Sequence, residues 1–514
     1  MPSAPSHTDP LHWLAAVLAH DADRLFLETA DGRRYSYREF AALAERLAAA
    51  LAQRGVISTD RVVAQIDKSP EAIALYIACL KLGAVFVPLN TAYTLAEFDY
   101  FVRDAQPRVA IVQPRQLQGV RGIAAQAGIA HVETLGMSGD GSLLQIGAAS
   151  GRHELESGDS AAHSEALAAL LYTSGTTGRS KGAMLTRGNL ASNAATLAAA
   201  WRFTENDVLL HALPIFHVHG LFVAINTVLA AGSSLLFLPR FDADQVTRLL
   251  PRATVMMGVP TFYTRLLQHP ALNRETTRNA RVFISGSAPL LAQTHREFRE
   301  RTGHAILERY GMSETLMNTS NPYDGNRVPG CVGPPLAGVE VRITEPQTGA
   351  TLAIPDAIGM IEVRGPNVFR GYWRMPEKTA TELRSDDFFI TGDLGRIDAQ
   401  GYVHIVGRGK DLVITGGYNV YPIEVEAEID ALPGVIESAV IGVPHPDFGE
   451  GVTAVVVTAQ GAVVDEHATL QALQQRLAKF KLPKRILFVD ELPRNTMGKV
   501  QKSVLRDRYR DLYG

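Results

Sequence analysis

Helical and extended periodicities alternate over roughly the first 130 residues, and this alternation constrains the fold more than any other feature of the chain. Residues 37–53 carry apolar side chains at helical spacing and are rich in Ala and Leu. Residues 61–65 read as a short strand, 70–82 as a helix and 84–89 as a second strand. Strand, helix and strand in that order argue for parallel sheets covered by helices. A stretch of Gly, Ser, Ala and acids at 139–164 is expected to be surface connection, leading into a strand at 168–172. Alternation then resumes to about residue 315. Short β-like runs at 339–343, 360–363 and 402–405, separated by Gly and Pro, predict a small β-rich subdomain. Beyond residue 411 a helix at 422–429, strands at 435–442 and 451–458 and a helix at 468–479 predict a compact α+β unit. The expected architecture is α/β: a large N-terminal domain of helix-covered sheets with a small β-rich subdomain (1–408), and a small α+β C-terminal domain (409–514).

Charge and cysteine usage remove whole classes of function. Lys and Arg number 50 and Asp and Glu 53, a net charge of −3, so nothing draws the chain as a whole to nucleic acid or an anionic membrane. Two cysteines, Cys79 and Cys331, exclude a disulfide scaffold and an all-cysteine zinc site. No apolar run approaches the ~20 residues of a membrane span. The apolar patch at 14–18 is too short for a signal core and lacks a basic flank. A soluble, cytoplasmic chain is expected. His211, His217 and His219 match no common zinc spacing, and no metal site is expected there.

The strongest local signal is Tyr172-Thr173-Ser174-Gly175-Thr176-Thr177-Gly178-Arg179-Ser180-Lys181-Gly182. It follows an apolar strand and precedes a helix-like stretch beginning near Asn189. Its glycines let backbone N–H groups turn inward around an anion, and its hydroxyls and Lys181 add donors, which suits a polyphosphate. The Walker A order is absent.

This segment resembles the signature loop of the acyl-adenylate-forming enzymes: acyl- and aryl-CoA synthetases, adenylation domains and luciferases. Further signatures of that superfamily follow in order: Pro214-Ile215-Phe216-His217-Val218-His219-Gly220, Ser285-Gly286-Ser287-Ala288-Pro289, Tyr310-Gly311-Met312-Ser313-Glu314, Thr391-Gly392-Asp393, Gly407-Arg408-Gly409-Lys410-Asp411 and Pro493-Arg494-Asn495-Thr496-Met497-Gly498-Lys499. Ser313 stands where the family usually has Thr, and the hydroxyl is kept. The resemblance implies an ATP-dependent acid–thiol ligase with Mg2+ as cofactor and coenzyme A as co-substrate. It assigns Thr173, Ser174, Gly175, Thr176, Thr177, Gly178 and Lys181 to the phosphates. Ser285, Gly286, Ser287, Ala288, Glu308, Arg309, Tyr310, Gly311, Met312 and Ser313 go to the nucleotide walls, and Asp393 and Arg408 to the ribose. Glu314 is the expected magnesium ligand, and Lys499 the catalytic lysine of adenylation and a possible target of a lysine acyltransferase. His217 is a gate beside the acyl and phosphate sites. Lys410 is the hinge of a mobile C-terminal domain, with Gly416, Gly417 and Tyr418 lining a pantetheine tunnel.

The acid to be activated is read from the segment after Gly258. Residues 260–267 read as a short helix with Pro260 at its first position. Arg265 shares a face with Thr261 and Phe262. If that face lines the pocket, a buried guanidinium calls for a second carboxylate on the substrate. The chain also resembles malonyl-CoA synthetases over 308–320 and 258–265. That resemblance implies that Arg265 and Ser287 hold the distal carboxylate of malonate, and that Met317 governs whether a methyl branch fits. Methylmalonate is expected to be accepted. The alternatives are a synthetase for acetate or propionate, a luciferase-like oxygenase and a free-standing adenylation domain loading a carrier protein.

Overall fold

The computed structural model describes residues 9–149, 164–173, 180–462, 464–495 and 498–514. By compactness the chain divides into two units, Met1–Glu340 with Val363–Phe389, and Val341–Glu362 with Ile390–Gly514. The strands of the small β-rich subdomain thus fall largely in the second unit.

The first unit holds two sheets. One has six strands in the order His131–Thr134, Val109–Val112, Arg61–Gln65, Val85–Pro88, Leu167–Thr173 and Lys181–Thr186. All neighbours are parallel except the last pair. The other has eight strands, with Leu307–Met312, Val282–Ser285, Val255–Gly258, Val208–His211 and Ser234–Phe237 parallel side by side. Their apolar residues are buried on both faces, as expected for strands covered by helices. The helix Pro70–Leu82 illustrates why these segments fold as they do. Ser69 accepts from the backbone N–H of Ala72, Pro70 opens the first turn, and Gly83 closes the helix at φ +67°. Between the caps every residue from Pro70 to Leu80 is buried.

The second unit holds a four-stranded sheet, Glu340–Thr344, Gly359–Arg364, Phe389–Ile397 and Val403–Arg408, and a five-stranded sheet built on the long antiparallel pair Val435–His445 and Gly449–Thr458. The five-stranded sheet packs a core on each face, one around Val425, Ile429 and Leu473, the other around Leu492 and Leu505.

Lys181–Thr186 is a strand that the sequence did not reveal, antiparallel to Leu167–Thr173, and the helix expected near Asn189 begins at Arg187. Two expectations need correction. The connection at 139–164 contains a helix, Ser142–Ala149, whose Leu143 is buried. The helix expected at 468–479 runs Glu466–Gln474, because the Asp465 side chain caps the Ala468 N–H one turn earlier.

Tyr263 anchors the Pro260–Gln268 helix to the sheet: its hydroxyl donates to the Ile284 carbonyl at 2.6 Å and its ring meets Phe298 edge-on. Tyr263→Phe should cost ~0.5–1.5 kcal/mol in urea denaturation, and Tyr263→Ala ~3–5 kcal/mol. A phenylalanine variant as stable as the wild type would show that the hydroxyl bond adds nothing.

Candidate active site

The phosphate loop is legible at its flanks. Ser174, Gly175, Thr176, Thr177 and Gly178 lie outside the described residues, whereas Thr173 and Lys181 face each other in register across the strand pair. Lys181 Nζ sits 3.5 Å from Glu382 Oε1 and 4.4 Å over the ring of Tyr372. The Tyr372 hydroxyl lies 2.6 Å from Glu382 Oε2 and 3.1 Å from Glu314 Oε1. A phenol has one proton, so it donates to one carboxylate at a time; Lys378, at 2.6 Å, also holds Glu382. Glu314 is 6% exposed. Among the described residues no cluster of three His, Cys, Asp or Glu could hold a metal. A single buried carboxylate near a phosphate loop suits magnesium, which keeps waters and phosphate oxygens as its other ligands.

The acyl end is built where parallel strands finish. Gly258 and Ser285 are in register at the ends of their strands, and Glu308 lies beside Ser285. A Cβ on Gly286 would stand 2.5 Å from Arg309 Cζ, so only glycine leaves room for that guanidinium. Arg309 is 3% exposed, and its Nε and Nη2 have no hydrogen-bond partner among the described residues. Burial brings its pKa down to about 9. His219 is fully buried; its Nδ1 lies 3.2 Å from Ser287 Oγ and its Nε2 has no partner among the described residues. Burial, and then the charge of Arg309, hold His219 well below the usual imidazole range, so the ring is neutral. Ser287 adopts φ +72°, a left-handed conformation that a serine holds only under constraint. His217 Nδ1 accepts from the His219 backbone N–H at 3.2 Å. Met317 is buried, its backbone bonded on both sides by the Asn193 amide.

One sequence-based expectation looks different in this light. Arg265 is exposed, because Tyr263 and Leu266 take the buried face of the Pro260–Gln268 helix. The expected buried guanidinium is therefore not Arg265; Arg309 is buried, with Nε and Nη2 lacking a partner among the described residues. Glu308 accepts from the Gly330 N–H at 2.9 Å and burial pushes its carboxyl up to about 8, so it is neutral at pH 7. Ser285 is buried with a hydroxyl that has no partner among the described residues, and Ala288 is half-buried. Tyr310, Gly311 and Met312 close the Leu307–Met312 strand, and Ser313 begins the turn that follows.

The second unit gathers the other signature residues. Asp393 lies within the Phe389–Ile397 strand, in register with Arg408, and the two form an ion pair at 2.7 Å. Lys499 is exposed as a residue but lies near this pair, and its pKa is brought down to about 8, first by desolvation among these neighbours and next by Arg408; Asp393 and Asp411 oppose, and Lys410 adds to the shift. Its loop is braced on both sides: the Lys499 N–H donates to Asn495 Oδ1 at 2.9 Å, and Arg494 bonds both Glu437 and the Gly498 carbonyl. Thr496 and Met497 lie outside the described residues. Lys410 sits in a single 3-10 turn, Gly409–Asp411, whose Asp411 pairs with Arg506 at 2.7 Å. Gly416 and Gly417, at φ +57° and +83°, form the two-residue loop between the Val413–Thr415 and Tyr418–Val420 strands. Tyr418 is exposed and stacks on Phe480 at 4.8 Å.

Sequence reasoning missed Tyr372 and Glu382. Nothing in their spacing relates them to Lys181 or Glu314; a tyrosine and a glutamate ten positions apart carry no pattern, and only tertiary packing brings them together.

A family model described as "AMP-binding enzyme" matches residues 14–373, and one described as "AMP-binding enzyme C-terminal domain" matches residues 424–499. A malonate–CoA ligase of Arabidopsis thaliana is 32% identical, over 95% of this chain and 86% of that protein. A feruloyl-CoA synthase of Amycolatopsis sp is 35% identical, over 93% of this chain and 94% of that protein. The crystal structure of ATP-bound MatB from Rhodopseudomonas palustris is 60% identical, with a TM-score of 0.95 over 98% of this chain and 100% of that one.

Amine reagents attack neutral lysine, so the modification rate at Lys499, followed by mass spectrometry against pH, should reach half its maximum near pH 8. Lysines without cationic neighbours should follow near pH ~10.4. A Lys499 midpoint among those would contradict its crowding by Arg408 and Lys410.

Proposed function

The chain belongs to the AMP-binding enzyme family, and from that premise we propose that it is an ATP-dependent malonyl-CoA synthetase. Malonate, ATP and CoA give malonyl-CoA, AMP and diphosphate through a malonyl-adenylate. The observation that carries the reading is the acyl end of the first unit. The relatives include ligases for a dicarboxylate and for an aryl acid at similar identity, so identity alone does not choose between them. An aryl acid wants an apolar wall. Here a buried guanidinium with free donors, a neutral histidine and a serine hydroxyl meet instead, and a second carboxylate is the group that would satisfy them.

In the first half-reaction a malonate oxygen attacks the α-phosphorus of ATP; the new O–P bond forms as the bond to diphosphate breaks. Arg309, Ser287 and the exposed Arg265 hold the distal carboxylate and so aim the other one, a positioning effect rather than a chemical one. Lys181 meets phosphate oxygens, and Asp393 and Arg408 exchange their mutual ion pair for the ribose. Lys499 in its ammonium form faces charge developing on the α-phosphate. Glu314 would hold magnesium, which when bound neutralises the triphosphate. In the second half-reaction the CoA thiol sulfur attacks the acyl carbon, the bond to AMP breaks, and the thiol proton leaves to solvent. We assign residues 1–408 and 409–514 as the two functional domains, with Lys410 as hinge and Gly416, Gly417 and Tyr418 on the pantetheine path. Met317 would sit near the central carbon of the substrate; one methyl is worth only ~1–3 kcal/mol, so methylmalonate is accepted as well. A cytoplasmic setting and acylation of Lys499 by a lysine acyltransferase complete the proposal. In the described residues no helix is long and apolar enough to cross a membrane.

Pyrophosphate release with ATP, magnesium and CoA, across acetate, propionate, malonate, methylmalonate, succinate and ferulate, tests the reading. Malonate should be preferred, and Arg309→Met should reduce its kcat/KM by about 100-fold, as for a lost charge-assisted pair. Arg265→Ala should cost less, because an exposed pair is screened by water. Equal turnover of acetate or propionate with both variants unaffected would leave a short monocarboxylate synthetase; preference for ferulate would point to the aryl branch.

A further inference from the structure

Lys68 lies between the Arg61–Gln65 strand and Ser69, the cap of the Pro70–Leu82 helix. It is 9% exposed, and burial is the cause that takes its ammonium far below the usual lysine range. Its Nζ lies 2.7 Å from His211 Nδ1, 2.9 Å from the His211 carbonyl and 4.3 Å over the Phe237 ring. His211, 1% exposed, ends the Val208–His211 strand, and its Nε2 lies 2.8 Å from the Gly220 carbonyl. Neither residue has a carboxylate among its partners in the described residues.

The hydrogen bonds fix where the protons sit. A carbonyl only accepts, so His211 Nε2 carries a proton and donates to Gly220. Between Lys68 Nζ and His211 Nδ1 there is then one bridging proton, and the neutral amine that burial favours can supply it while its second N–H reaches the His211 carbonyl. The pair is two ionisable groups, buried and without an acidic partner among the described residues. Holding them out of water is costly, and a methionine of similar length would fill the space without that cost. The fold itself gives no reason for the pair's presence. Its far end does: Gly220 belongs to the π-helical turn His219–Ile225, a rare backbone form that clusters at functional sites. His217 stands three residues before Gly220, and the neighbouring His219 lies against Ser287.

We propose that Lys68 and His211 are positioning residues for the acid-binding end of the site: by holding the Gly220 carbonyl they fix the turn that carries His217 and His219. The inference rests on the reading of His217, His219 and Ser287 as part of the acyl site. Lys68 touches neither substrate nor reacting atoms; it acts through His211 and the backbone.

Four variants test it, Lys68→Met, His211→Leu, His211→Gln and His217→Ala, each measured for thermal midpoint and for KM and kcat with malonate and with ATP. Lys68→Met should keep or raise the midpoint while kcat/KM for malonate falls about 10-fold or more, the scale of a displaced positioning group, with KM for ATP unchanged. His211→Leu should lose malonate kcat/KM likewise, with a lower midpoint, because it leaves the buried Lys68 amine and the Gly220 carbonyl without their side-chain partner. His211→Gln, whose amide N–H can still donate to Gly220, should recover most of the loss. Wild-type kinetics in Lys68→Met beside an impaired His217→Ala would overturn the inference and leave the site reading intact. A Lys68→Met protein that fails to fold, or loses stability and both KM values together, would show a structural role and also overturn it. An unimpaired His217→Ala would remove the site reading, and this inference with it.

Discussion

Parallel pairing of short strands holds the acyl end of this protein together. Val208–His211, Val255–Gly258, Val282–Ser285 and Leu307–Met312 run the same way in one sheet, so their C-terminal ends emerge along one edge. His211, the Pro260 helix and Ser285 to Ser287 lie at or just beyond those ends, and Arg309 follows Glu308, the last residue of its strand to pair with Val282–Ser285. Ligands of open α/β sheets lie outside the carboxyl ends of the strands for this reason: the loops there are free to vary while the ladder beneath them is rigid. Slipping one strand by a single residue would turn Arg309 away from the gap that Gly286 leaves for it.

The second constraint is electrostatic. Arg309, His219, His211 and Lys68 are all buried in the first unit, and all have their charged forms disfavoured, burial being the first cause for each. Carboxylates are few where these groups meet: Glu308, next to Arg309 in sequence, turns to the Gly330 backbone and stays neutral. A region that concentrates cationic capacity and withholds the counter-charge is poorly arranged for stability and well arranged for an anion. The acids are placed elsewhere, as Glu314 and Glu382 around Tyr372, and there lysines accompany them.

Much of this was legible along the chain. The helices Tyr37–Gln53, Pro70–Leu82 and Pro260–Gln268 stand where periodicity, Ser69, Pro70 and Pro260 put them, because caps and amphipathic spacing are local. The strand Lys181–Thr186 was not legible. Six residues are short for a periodicity, and its partner lies across a loop rather than in its own pattern. Arg265 misled for a related reason. Spacing says which residues share a helix face, but packing of Tyr263 and Leu266 decides which face is inside.

The amino-acid sequence by itself determined the fold class, the order of the signatures and the family, since these depend on local composition and on glycines and hydroxyls at fixed offsets. Tertiary structure alone decided which cation is buried and which is exposed, that Asp393 and Arg408 hold one another, that Tyr372 joins two carboxylates, and that Lys68 meets His211 from 143 positions away. Those facts are long-range contacts. Their energies depend on what surrounds each charge, and a linear pattern does not record its surroundings.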